Sequence, residues 1–83
     1  MSDLRKVSLL QTLRSAAPYG VPEPVLLTQV RLAGHRDLTL PQLQLELRGL
    51  ADEGLALRLP GSLGGDRWRI TDLGDSKLTE AGV

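Results

Sequence analysis

The 83-residue sequence has no cysteine and no phenylalanine, and only one tryptophan, one tyrosine and one histidine. Without cysteine there can be neither a disulfide framework nor a cysteine-based zinc site. One histidine, His35, with scattered carboxylates makes a weak metal site. It also lacks a nucleophile and an orienting acid at readable spacing, so no catalytic set emerges. The glycines at Gly61, Gly64 and Gly65 are not followed by the Lys-Ser/Thr and helix of a phosphate loop. The expectation is a non-enzyme with no cofactor, no metal and no catalytic residue. Long apolar runs are missing too, so no stretch reaches the length of a membrane span and none resembles a signal peptide. A cytoplasmic location is therefore expected, and the initial Met suggests a natural start. Finally, there is no excess of charge of either sign: ten Lys and Arg stand against ten Asp and Glu. Nucleic-acid-binding domains are usually basic on at least one face, so this balance argues against strong non-specific binding unless the acids gather elsewhere.

What is present is leucine, arranged with clear periods. The length suits one small domain over 1–83, with little stability to spare. Its most informative stretch runs from Thr39 to Asp72. Thr39 and Gln42 form a capping-box pattern. Leu43, Leu47 and Leu50 then share one face of a helix at about 40–53. Gly54 suits the left-handed position after its end, with Leu55 folding back on Leu50. Strands follow at about 55–60 and 67–72. In the first, Leu55, Leu57 and Leu59 alternate with Ala56 and Arg58 as if one face were buried. In the second, Trp68 and Ile70 alternate with Arg67 and Arg69. This phase places Trp68 in the core rather than against a base.

Upstream, Ser2 and Asp3 suit the start of a helix at about 3–17. Leu4, Val7, Leu10 and Ala17 form one stripe on it, and Leu9, Leu13 and Ala16 form a second. That surface is wide for a helix packed on one side. Either the helix is central to the fold, or its second stripe faces another subunit. Pro18, Gly20, Pro22 and Pro24 mark a loop. A second helix is expected at about 24–33, then a connector at His35–Leu38 with room for a short edge strand. His35 reads as a loop residue that caps a helix end or contacts phosphate. After the hairpin, Thr71 can cap a short last helix with Leu73 and Leu78 as its apolar residues.

Leu47, Leu50, Gly54 and Leu55, followed by Ile70, Thr71 and Gly74, resemble the L-x-x-L-x-x-x-G-L and I/L-T-x-x-G phrases of the winged helix-turn-helix superfamily. Small bacterial transcriptional regulators of this kind are what the chain resembles. It implies an α+β fold of three helices followed by a two-stranded hairpin wing, with space for a short C-terminal helix. It also implies double-stranded DNA as partner, the 40–53 helix in the major groove, the wing on the neighbouring backbone, and action as a dimer.

Particular residues carry two opposed readings. On the outer face of the 40–53 helix, Gln44 and Arg48 suit adenine and guanine edges, and Gln42 can reach a base or a phosphate. On the hairpin, Arg58, Arg67 and Arg69 are expected together on the face opposite Leu57, Trp68 and Ile70, where three guanidinium groups suit phosphate. The alternative is a winged-helix module for protein–protein interaction that does not bind DNA. The mid-face Leu45 and Leu40 would then sit in a partner contact and the arginines would only keep the domain soluble, whereas in the DNA-binding reading Leu9 and Leu13 of the first helix, or the C-terminal segment, supply the dimer contact.

Overall fold

The computed structural model describes residues 3–61 and 65–82. Its elements are α1 (Asp3–Ala16), β1 (Val21–Pro22), α2 (Glu23–Leu32), α3 (Leu40–Asp52), β2 (Ala56–Leu59), β3 (Arg67–Ile70) and α4 (Asp72–Glu80). Among the described residues the architecture is α+β, with four helices and a three-stranded antiparallel sheet of order β1-β3-β2. One helix and one strand exceed the expected three helices and two-stranded hairpin. The added helix is α4, where the sequence left room for one. The added strand is β1, which lies in the proline-rich stretch read as loop, not in the His35–Leu38 connector. Val21 pairs with Trp68 and Pro22 with Arg67. A two-residue strand is too short to show a period, and Pro22 is tolerated because β1 is an edge strand that needs no further donor. Ser2 and Gly64, named above for a helix start and a turn, lie outside the described residues.

Both ends of α3 form as their residue types require. Thr39 Oγ1 accepts the Gln42 backbone N–H at 3.4 Å, and the Gln42 side chain accepts the Thr39 N–H at 3.1 Å. At the other end Gly54 takes φ +77°, a region costly for residues with a Cβ. The Leu55 N–H then reaches the Leu50 carbonyl at 2.9 Å, and the Gly54 N–H reaches Ala51 at 3.0 Å.

This ending corrects the phase expected for the first strand. Leu55 is buried as part of the helix stop, before the strand begins. Within β2 the buried position is Ala56, while Leu57 is exposed and Leu59 half-buried. Extending the leucine alternation back to Leu55 therefore assigns the strand to the wrong face.

One core gathers Leu9, Leu10 and Leu13 of α1, Leu26 and Val30 of α2, the three α3 leucines, Leu38, Leu55, Trp68 and Leu78. The central place of α1 thus explains most of its wide apolar surface, with Val7 and Ala16 packed against the core, while Leu4 of the first stripe is 75% exposed. The I-T-x-x-G phrase is a latch that seats α4 on this core. Thr71 donates its hydroxyl to the Gly54 carbonyl at 2.7 Å and accepts the Gly74 N–H at 3.0 Å, while its own N–H reaches the Leu55 carbonyl at 3.1 Å. Gly74 is buried where α4 packs on Leu55 and Ile70, and an added Cβ would collide with the Leu55 carbonyl oxygen.

Candidate nucleic-acid interface

The α3 helix turns Leu43, Leu47 and Leu50 inward and leaves two flanks. One flank, with Gln44, Arg48 and Asp52, faces the β2–β3 hairpin across an open cleft of about 410 Å³. The short strand β1 delivers Glu23 to the floor of this cleft. Because Val21 is registered on Trp68, the first residue of α2 arrives beside the indole. Glu23 then accepts the Trp68 Nε1–H at 2.9 Å and the Gln44 Nε2–H at 3.1 Å. A buried tryptophan keeps its N–H paired, and here a carboxylate supplies the partner. Glu23 also sits in the first turn of α2, where the helix dipole favours a negative charge.

Two of the expected DNA-contacting residues are therefore engaged within the protein. Gln44 is held by Glu23, and Gln42 has its carbonyl oxygen in the capping box, with its NH2 group making no hydrogen bond among the described residues. Arg58 is a third. Its Nη1 lies 3.2 Å from Asp66 Oδ2, and both residues line the cleft. The cleft brings Glu23, Asp52 and Asp66 against Arg48 and Arg58, an excess of one negative charge.

Arg58 also departs from the face expected for it. The register sets Arg58 opposite Trp68 and Leu57 opposite Arg69. Cross-strand partners share a face. Arg58 therefore lies with Ala56, Trp68 and Ile70, while Arg67 and Arg69 lie with Leu57 and Leu59. The expectation aligned the strands by hydrophobicity, but register belongs to the pairing of both strands and a shift of one residue exchanges the faces. The phosphate-binding trio of arginines is thus a pair, Arg67 and Arg69, with Arg58 on the other side. Arg48, Arg67 and Arg69 are all exposed, and the side chain of none of them makes a hydrogen bond or ion pair among the described residues.

Of the expected partner contacts, Leu9 and Leu13 are 0% exposed and belong to the core. They are unavailable to a partner because α1 is surrounded by α2, α4 and the sheet. Leu45 is 67% exposed on the outer side of α3.

Two features were not read from the sequence. The first is Glu23, whose only sequence signal is that a core tryptophan needs an acceptor and that Val21–Pro24 contains one carboxylate. The second is the approach of Ser8 Oγ to His35 Nε2 at 3.1 Å, across residues far apart in the chain. His35 is half-buried there, tying the α2–α3 connector to α1 instead of capping a helix with its ring. No acid contacts the ring among the described residues, and no group of three metal-ligating side chains forms among them. No helix is long and apolar enough to cross a membrane among the described residues. Comparison with protein-family models, with curated proteins and with solved structures finds no match to this chain.

Proposed function

We propose that the chain is a winged helix-turn-helix domain that binds double-stranded DNA as a transcriptional regulator, with α3 in the major groove and the β2–β3 hairpin as the wing. The order helix, strand, two helices, hairpin supports the fold assignment, as does the sheet order β1-β3-β2. The single observation behind the DNA reading is the set of exposed guanidinium groups at Arg48 on α3 and at Arg67 and Arg69 on the hairpin, all without an intramolecular partner among the described residues.

In this reading Arg48, the Gln42 amide and the apolar Leu45 meet base edges, with arginine on guanine and leucine on a thymine methyl. Gln44 joins them only if its bond to Glu23 opens. Phosphate contacts fall to Arg67 and Arg69, because the carboxylates of the cleft repel the backbone from the Arg58 side.

A residue-resolved NMR titration with short duplex DNA, at low and then moderate salt, tests this. Shifts are expected at Gln42, Leu45, Arg48, Arg67 and Arg69, fading with salt. Arg67→Ala should weaken binding to all sequences alike and lower the salt slope by about one. Arg48→Ala should relax preference at one position, by roughly 1–3 kcal/mol. If nothing moves at low salt, where phosphate attraction is strongest, DNA is not the ligand and the protein-interaction module takes its place.

A further inference from the structure

We infer that Leu45 and Arg48 of α3 together read one step of duplex DNA, a C5-methylated pyrimidine followed on the same strand by guanine. This rests on the DNA reading and adds to it the class of sequence recognised. Leu45 is 67% exposed on the outer side of α3. Its surface neighbours one turn away are Pro41, Gln42, Arg48 and Gly49, so it is the lone leucine among them. The major groove offers such a side chain one apolar feature, the methyl group at C5 of thymine. The cytosine that carries a methyl at C5 presents the same group at the same place. The surface beside Leu45 is open to a duplex, because nothing lies within 4 Å of a Cβ added at Gly49.

Arg48 follows Leu45 by three residues. Side chains at that spacing are neighbours, with Cβ atoms roughly 5–6 Å apart. Base pairs stack about 3.4 Å apart, and their helical twist adds a sideways offset between adjacent edges. The two side chains therefore span adjacent base pairs. Arg48 donates two parallel N–H groups to O6 and N7 of guanine. Its side chain makes no hydrogen bond or ion pair among the described residues, so no protein partner has to be given up. In a right-handed duplex the C5 methyl of the pyrimidine on the 5′ side leans toward the N7 edge of that guanine. The methyl then lies against the guanidinium plane, and Leu45 covers its other side. The step is thymine–guanine in unmodified DNA and 5-methylcytosine–guanine in methylated DNA.

Selection of duplexes from a random pool by the full chain at low salt, followed by anisotropy titrations on the selected sequence, tests this. Thymine–guanine steps should be enriched. Replacing that thymine by deoxyuridine, which lacks only the methyl, should weaken binding roughly fourfold, the worth of burying one methyl-sized group. In the same frame, 5-methylcytosine–guanine should bind more tightly than cytosine–guanine by a similar factor. Leu45→Ala should bring both ratios toward one while keeping the preference for guanine, and Arg48→Ala should lose that preference. Both sites are exposed, so the variants should keep the wild-type circular dichroism spectrum. Selected duplexes without such a step overturn the inference. So do equal affinities for thymine and deoxyuridine, or undiminished ratios in Leu45→Ala. In each of those cases the retained duplex leaves the DNA reading standing. A pool that is not retained at all at low salt overturns both together.

Discussion

Replacing Gly74 by alanine should destabilise the domain, although alanine is the better helix former. The position is the third residue of α4, and its backbone lies outside the left-handed region, so conformation alone permits alanine. Helix propensity would favour the change by about 1 kcal/mol. Against this, the new methyl overlaps the Leu55 carbonyl oxygen and approaches Ile70 Cγ1 to 2.8 Å. The first obstacle is backbone, and that carbonyl already accepts the Thr71 N–H. Relief requires α4 to move outward by roughly 1 Å, which loosens the Thr71 latch and the burial of Leu78. Overpacking costs about 1–3 kcal/mol and a weakened hydrogen bond about 1 kcal/mol. The net loss is about 2 kcal/mol after the propensity gain. For a domain of this size that lowers Tm by roughly 8–16 °C. Gly49→Ala is the matched control. Gly49 is also helical, but nothing lies within 4 Å of its added Cβ. It should gain about 0.5–1 kcal/mol and raise Tm by a few degrees. Thermal melts followed by far-UV circular dichroism measure both. A Gly74→Ala melt at or above wild type would show that α4 does not press on Leu55 and Ile70 as described.

Other expectations concern the cleft and the caps. Glu23→Ala leaves the Trp68 N–H without its acceptor inside the fold and should cost about 2–4 kcal/mol, whereas Glu23→Gln keeps an acceptor and should cost clearly less. Equal melts for the two variants would show that the bond to Trp68 adds nothing. Thr39→Ala removes the acceptor for the Gln42 N–H and should cost about 1 kcal/mol, with faster hydrogen exchange confined to the first turn of α3. Unchanged exchange there would discount the cap. Asp66→Asn breaks an exposed ion pair, so stability should stay within about 0.5 kcal/mol of wild type. If the domain binds DNA, that variant should bind more tightly, with a salt slope steeper by about one because Arg58 is released. An unchanged slope would place Arg58 away from the duplex.

The sequence by itself determined what depends on near neighbours along the chain. The capping box at Thr39 and Gln42, the reversal at Gly54, the inward leucines of α3 and the cap at Thr71 involve residues within a few positions of each other. Their geometry follows from helix period and from which side chains can reach which backbone groups. The burial of Trp68 was legible for the same reason, through its phase with Ile70. The tertiary structure alone decided what depends on residues brought together from a distance. The register of β2 on β3 placed Arg58 beside Trp68 and divided the expected arginine face, since alternation reveals two faces but not which partner fills them. The chain's return at β1 set Glu23 under Trp68 and Gln44, and so withdrew Gln44 from the surface. Packing of α1 against α2, α4 and β3 claimed Leu9 and Leu13, whose apolar character alone is equally suited to a core or an interface. The reach of one side chain to its own helix turn is a local property. The choice of a distant partner is made by the burial and hydrogen bonding of the whole fold.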